Sequence, residues 1–220
     1  IGTAHLGEFG GRDGICRAKS EIYRHIDAQG TSIVPAHDDF TAEIRQAVET
    51  EKVLSFGEGG DVFATDVQLH PQSAQFKIHT PEGVRDVNLP FAGLHNVHNA
   101  EAATAFALAI GVHLDEIVQG LEHAIGAKGR LNFIKKDQYL FIDDTYNANP
   151  ASMRAAAEVL TQQQGIKVML MGDIGELGES SRQEHHDLGR DVVKLPIDYV
   201  IAVGEFADST AQGASSDKLK

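Results

Sequence analysis

Tryptophan is absent and cysteine occurs once, at Cys16. A lone cysteine closes no internal disulfide and fits the reducing cytosol. No run approaches the roughly 18 apolar residues that a membrane helix needs, so no membrane insertion is expected. No charged segment followed by an apolar stretch opens the chain, so no signal peptide is expected either. Basic residues are in short supply: 19 Lys and Arg against 32 Asp and Glu leave a net charge of −13 over 220 residues. That balance argues against nucleic acid and anionic lipid as partners, while leaving room for a local basic pocket that takes a phosphate. Several motifs are missing as well. The sequence holds no G-x-x-x-x-G-K-[ST] run, no G-x-G-x-x-G after a strand, no C-x-x-C and no H-E-x-x-H. The first absence removes a phosphate-cradling P-loop from these residues, and the second leaves a dinucleotide oxidoreductase without support. The last two argue against structural or protease-type zinc.

What is present has the mix of a globular protein. Hydrophobic residues make up 42% and charged residues 23%, enough for a real core in one or two domains. Glycine is abundant, at 22 residues, which points to tight turns and close backbone approaches. The chain starts at Ile1, and its last residues, Ala214-Ser215-Ser216-Asp217-Lys218-Leu219-Lys220, stop without a finished element. Both ends read as those of a piece of a longer protein.

Periodicity outlines the architecture. Ile15, Ala18, Ile22 and Ile26 fall at helical spacing over residues 13–26, with Asp13 as a possible N-cap. A strand over 32–36, a helix over 41–50 and a strand over 53–56 follow. Between 60 and 90, apolar and polar residues alternate in three runs separated by Pro71-Gln72 and Pro81-Glu82-Gly83, which predicts a small antiparallel patch. Helices return over 97–111 and 114–124, the second with a stripe of Leu114, Ile117, Val118, Leu121 and Ile125. Residues 126–132 (GAKGRLN) suit a domain boundary. Beyond them, strands over 139–143, 167–171 and 199–203 alternate with helices over 151–164 and 181–194. This rhythm predicts a parallel sheet, with 167–171 fully buried. The fold class is therefore α/β with a small antiparallel patch.

Ligands in such sheets sit at the carboxyl ends of the strands. Two loops there are rich in polar groups: Asp143-Asp144-Thr145-Tyr146-Asn147-Ala148-Asn149-Pro150 and Gly172-Asp173-Ile174-Gly175-Glu176-Leu177-Gly178. Gly204-Glu205 marks a third. His5 is expected in a loop after a strand, and Lys19 in an apolar helical setting. Asn96 could cap the helix that follows it, with Asn99 one turn on. Both amides offer a donor and an acceptor, which suits an adenine edge. Arg130, next to Gly129 at the presumed joint, can meet phosphate oxygens bidentately. An aspartate at the end of a strand suits a ribose diol or an ammonium group.

These segments occur in the order seen in the Mur ligases, the ATP-dependent amide-forming enzymes of bacterial cell-wall precursor synthesis. The carrying residues are Ala4-His5-Leu6, Arg17-Ala18-Lys19-Ser20-Glu21-Ile22, Gly93-Leu94-His95-Asn96-Val97-His98-Asn99, Gly129-Arg130-Leu131, Asp144 through Pro150, and Gly172 through Gly178. The Tyr146–Pro150 run (YNANP) resembles that of the member which joins D-alanyl-D-alanine to UDP-N-acetylmuramoyl-tripeptide. The resemblance implies a cytoplasmic enzyme of peptidoglycan synthesis, with the cell-shape and cell-division roles that follow from wall building. It implies that residues 1–129 form the latter part of a central ATP-binding domain and 130–220 most of a Rossmann-like C-terminal domain. The UDP-sugar domain and the P-loop would lie outside these residues.

The same resemblance implies roles for single residues. His5 matches a magnesium-ligand histidine, and Lys19 the lysine that is carbamylated and assists Mg²⁺. Carbamylation needs a neutral amine, which partial burial among Ile15, Ala18 and Ile22 would favour. Asn96 and Asn99 match the adenine side of the ATP site. Arg130 matches the hinge arginine at the phosphates and Asp144 the ribose side. Tyr146, Asn147 and Asn149 fall where the incoming dipeptide approaches. Without a P-loop, the 220 residues alone are expected to turn over no ATP. Two other readings are a related amide ligase of folylpolyglutamate or cyanophycin type, against which the Tyr146–Pro150 loop argues, and a non-catalytic nucleotide-binding module.

Overall fold

The computed structural model describes Ile1, Gly2 and residues 6–215. The chain forms two compact units, one of Ile1 with Asp13–Ile125, the other of Gly2–Arg12 with Gly126–Lys220. A single helical turn, α1 (Leu6–Phe9), belongs to the second unit. His5 lies outside the described residues.

In the first unit, α2 (Arg12–Ser20) buries Ile15 and Cys16. It is shorter than its periodicity predicts. After Ser20 the chain tightens into a 3-10 helix, Glu21–His25, which rotates Ile22 out to 62% exposure. β1 (Thr31–Pro35) pairs in parallel with β2 (Lys52–Phe56), and α3 (Thr41–Gln46) connects them. That helix also stops early, at Gln46 rather than Thr50. Cys16, Val34 and Ile44 form a small core here.

The antiparallel patch is present as β3 (Phe63–Leu69), β4 (Ala74–Thr80) and β5 (Gly83–Leu89), in that spatial order. Ala74, Phe76 and Ile78 of β4 are buried while Gln75 and Lys77 face water, the alternation of a sheet with one wet face. α4 (Leu94–Ala109) and α5 (Leu114–Glu122) cover the apolar face. Val62, Phe76, Ile78, Val87, Leu89, Val97 and Leu114 make the core. Ile125, expected in the α5 stripe, falls beyond the helix end and is 94% exposed.

The second unit departs further from the predicted rhythm. β7 (Tyr139–Asp143) does not join a parallel sheet; it pairs antiparallel with β6 (Asn132–Lys136) in a two-residue hairpin, with Asp137 at φ +52°. The sequence Asn132-Phe133-Ile134-Lys135-Lys136 holds only two apolar residues, too few to stand out. α6 (Pro150–Thr161) starts where predicted. Asn149 accepts the N–H of Ser152 at 2.9 Å, Ser152 Oγ accepts the N–H of Asn149 at 3.0 Å, and Pro150 takes the first helical position, a reciprocal cap that leaves fewer orphan donors. β8 (Val168–Met171) and β9 (Tyr199–Ala202) form the parallel pair, with α7 (Ser181–Val192) between them in sequence and α8 (Ala207–Ala214) after. β8 is not buried on both faces: Met169 and Met171 point inward while Leu170 is 66% exposed. α7 and α8 cross at Gly189 and Gly213, where an added Cβ would meet Thr210 O and His186 O respectively.

Candidate functional site

The predicted residues fall into separate local groups. On the first unit, Gly93 precedes α4 with φ +89° and takes the N-cap position. Asn96 is therefore not the cap. Its side-chain amide donates to Ala92 O at 2.8 Å, and its Oδ1 accepts from the Asn99 amide at 3.2 Å. Asn99 keeps its carbonyl oxygen and one N–H for another partner, since an amide carries two donors and an acceptor. Sequence reasoning missed the neighbour that braces this turn. Glu101 is buried, accepts the N–H of Ala64 on β3 at 2.8 Å, and meets His98 Nδ1 at 2.9 Å. A carboxylate inside an Ala-rich helix was the only signal of it.

Lys19, one residue from the end of α2, is exposed, and so is Ile22. The partial burial expected around the lysine amine is absent, because the 3-10 turn carries Ile22 away.

On the second unit, the turn from Ala127 to Leu131 is fastened to the loop after β7. Arg130 N–H donates to Ala127 O at 3.2 Å and closes the turn. Leu131 N–H donates to Asp144 Oδ1 at 3.1 Å. Tyr146 N–H donates to Gly129 O at 3.0 Å. The Arg130 guanidinium carbon lies 4.5 Å from the centre of the Tyr146 ring. Gly129 is buried at φ +72°, and a Cβ there would come within 3.0 Å of Tyr146 N, so glycine is required by both backbone and space. Asp143 folds inward on its own loop, accepting Thr145 N–H and Oγ1–H at 3.3 and 2.7 Å. Asn147 Oδ1 accepts Ala148 N–H at 2.9 Å. Thus Arg130, Asp144 and Tyr146 come together, Asn147 follows in the same loop, and Asn149 caps α6.

The acidic loop after β8 is mostly architectural. Asp173 accepts the N–H groups of Glu205 and Phe206 at 2.7 and 3.0 Å. These two backbone donors, Phe206 first, hold its carboxyl below the usual range. Gly204, at φ +114°, leaves room for that carboxylate. His185 is buried beneath the loop; its Nε2 accepts Ile174 N–H at 3.0 Å and its Nδ1 donates to Ser181 O at 2.7 Å. The α1 turn docks on the same loop through Gly7 N–H and Glu176 O, 3.2 Å apart.

Among the described residues, no three His, Cys, Asp or Glu side chains gather to hold a metal ion. No helix among them is long and apolar enough to cross a membrane.

Comparison with known proteins follows the same division. Residues 1–107 match the family model of the Mur ligase middle domain, and residues 129–219 that of the Mur ligase, glutamate ligase domain. The chain is 36% identical to the UDP-N-acetylmuramoyl-tripeptide–D-alanyl-D-alanine ligase of Escherichia coli (strain K12), over 97% of this chain and 48% of that protein. A crystal structure of MurF from Acinetobacter baumannii is similar at 70% identity and a TM-score of 0.96, covering all of this chain and 48% of that one. A MurF ligase from Thermotoga maritima in complex with ADP is similar at 28% identity and a TM-score of 0.85, with 100% and 50% covered. The chain spans about half the length of the curated relatives it matches. Both matched regions are Mur ligase domains, and together they take in most of the sequence. The chain belongs to the Mur ligase family.

Proposed function

We propose that this chain supplies the adenine-side and amine-side parts of an ATP-dependent ligase that adds D-alanyl-D-alanine to UDP-N-acetylmuramoyl-tripeptide in peptidoglycan precursor synthesis in the cytoplasm. The observation that carries this is the Tyr146–Pro150 loop fastened to the Gly129–Arg130–Leu131 turn, together with relatives of that name. In this reading residues 1–129 are the latter part of the central domain and 130–220 the C-terminal domain.

The chemistry proceeds in two steps. A terminal carboxylate oxygen of the tripeptide attacks the γ-phosphorus of ATP, and ADP leaves. The amine of D-alanyl-D-alanine then attacks the acyl carbon, inorganic phosphate leaves, and the amine loses a proton. The first step crowds anionic oxygens, so positioning and charge stabilisation dominate. Arg130 offers a planar, permanently charged fork for those oxygens. Asn96 and Asn99 face the adenine; Asn96, already bonded to Ala92 O and to Asn99, orients the free edge of its neighbour. Asp144 takes the ribose side with the oxygen left free by Leu131. Tyr146, Asn147 and Asn149 line the approach of the dipeptide. Mg²⁺ would supply further charge neutralisation at the phosphates. By resemblance alone, His5 and the carbamate oxygens of a carbamylated Lys19 would hold it. The described residues form no metal cluster of their own.

The test is a replacement. The matching half of the Acinetobacter baumannii MurF is exchanged for these 220 residues, and phosphate release is assayed with ATP and the tripeptide acceptor. Release that depends on D-alanyl-D-alanine is expected, with no response to glutamate. A folded chimera that responds to glutamate, or to neither amine, contradicts the proposal. The 220 residues alone, without a P-loop sequence, are expected to release no phosphate.

A further inference from the structure

Arg130 is exposed, and among the described residues its guanidinium has no ion pair and no hydrogen bond; its contact is the face of the Tyr146 ring, 4.5 Å away. Tyr146 is itself 67% exposed, so its ring adds little to the core. Its backbone is nonetheless fixed. Tyr146 N–H is bonded to Gly129 O, and the buried Gly129 packs against the tyrosine N and Cβ. The Arg130 backbone is held from both sides, by its own N–H to Ala127 O and by Leu131 N–H to Asp144. Ring and guanidinium thus start from backbones locked to each other. Beside them is a depression of ≈ 580 Å³ lined by Lys128, Arg130, Asp143, Thr145 and Tyr146.

A surface arginine normally samples many rotamers, and each must be given up when it grips an anion. Stacking occupies one face of the guanidinium and leaves its N–H edges open, and those edges are what a phosphate contacts. We propose that Tyr146 is a positioning residue for Arg130: its ring holds the guanidinium at this depression with its N–H edge presented to a phosphate-type oxyanion, and Lys128 adds a second positive charge. This rests on the assignment of Arg130 to the phosphate oxygens of the ligase reaction. It goes beyond that assignment, in which Tyr146 faces only the dipeptide.

The experiment uses the 220-residue chain with inorganic pyrophosphate as the probe, at low salt. NMR of arginine side chains reads the ring contact directly, because a proton over an aromatic face is shifted upfield. Arg130→Lys identifies the signal. Wild type and Tyr146→Phe should both show the upfield Arg130 resonance and should move it on titration. Tyr146→Leu should keep the wild-type urea midpoint, lose the upfield shift, and bind about two- to fivefold more weakly, the range for an exposed cation–π contact. Three results overturn the proposal: Tyr146→Leu binding as tightly as wild type, Tyr146→Phe behaving like Tyr146→Leu, or no response of Arg130 to pyrophosphate in the wild-type chain. The outcome is separable from that of the ligase proposal. A chimera that makes no amide bond, alongside an intact pyrophosphate response, sinks the function and leaves the positioning role standing.

Discussion

Asp173, just past the end of β8, accepts the N–H of Phe206 at 3.0 Å and that of Glu205 at 2.7 Å, so a residue after one strand fastens the turn that leads into the helix following the other. This bond is acid-sensitive with a definite sign. The folded carboxyl is held below its ordinary value by those two donors. The stability it contributes is present above the unfolded value of about 3.9 and is lost as pH falls through the lower folded value. Asp173→Asn should therefore have a lower urea midpoint than wild type at neutral pH, and the gap should close on acidification below about pH 4. A gap that stays constant down to about pH 2 would show that ionisation plays no part.

His185 should behave as a buried strut. A carbonyl accepts from its Nδ1, so the proton sits there and Nε2 is bare for the N–H of Ile174. His185→Ala leaves that N–H buried without a partner and opens a cavity, which costs about 2–4 kcal/mol in chemical denaturation. Amide exchange at Ile174 should quicken before that of the α4 core does. Unchanged protection at Ile174 would rule the strut out.

Two glycines should respond in opposite directions. Gly129→Ala forces an alanine to φ +72° and brings its Cβ within 3.0 Å of Tyr146 N, at a cost of about 1–2 kcal/mol or more. Gly120 lies inside α5 with open space around it, and Gly120→Ala should add about 0.5–1 kcal/mol. Urea midpoints of the two variants measure both. Equal shifts of the same sign would contradict the account of the Gly129 turn.

The sequence revealed the elements with strong periods and left out those set by their partners more than by their own apolar pattern. The alternation in β4 and the stripe of α5 were readable because burial of one face imposes the period. β6 was not, since its pairing with β7 comes from a tight hairpin more than from its own apolar content. α8 was missed because it is held by Asp173 and by the glycine crossing with α7, neither of which leaves a local pattern. In the candidate site, Arg130 and Asp144 could be singled out by residue type and position. The bond from Leu131 to Asp144 and the stacking of Arg130 on Tyr146 could not, as both depend on the left-handed turn at Gly129. Asn96 shows the opposite failure: its residue type suggests a cap, yet the positive φ of Gly93 moves the helix start three residues earlier.

Oxygen tracking tests the proposed chemistry most directly. The Acinetobacter baumannii chimera carrying these 220 residues is supplied with ATP, D-alanyl-D-alanine and a tripeptide acceptor labelled with ¹⁸O in its terminal carboxylate. Transfer of the γ-phosphoryl group to that carboxylate predicts one ¹⁸O atom in each inorganic phosphate released, with ADP unlabelled. Label found in AMP, or phosphate free of label alongside amide product, would contradict it.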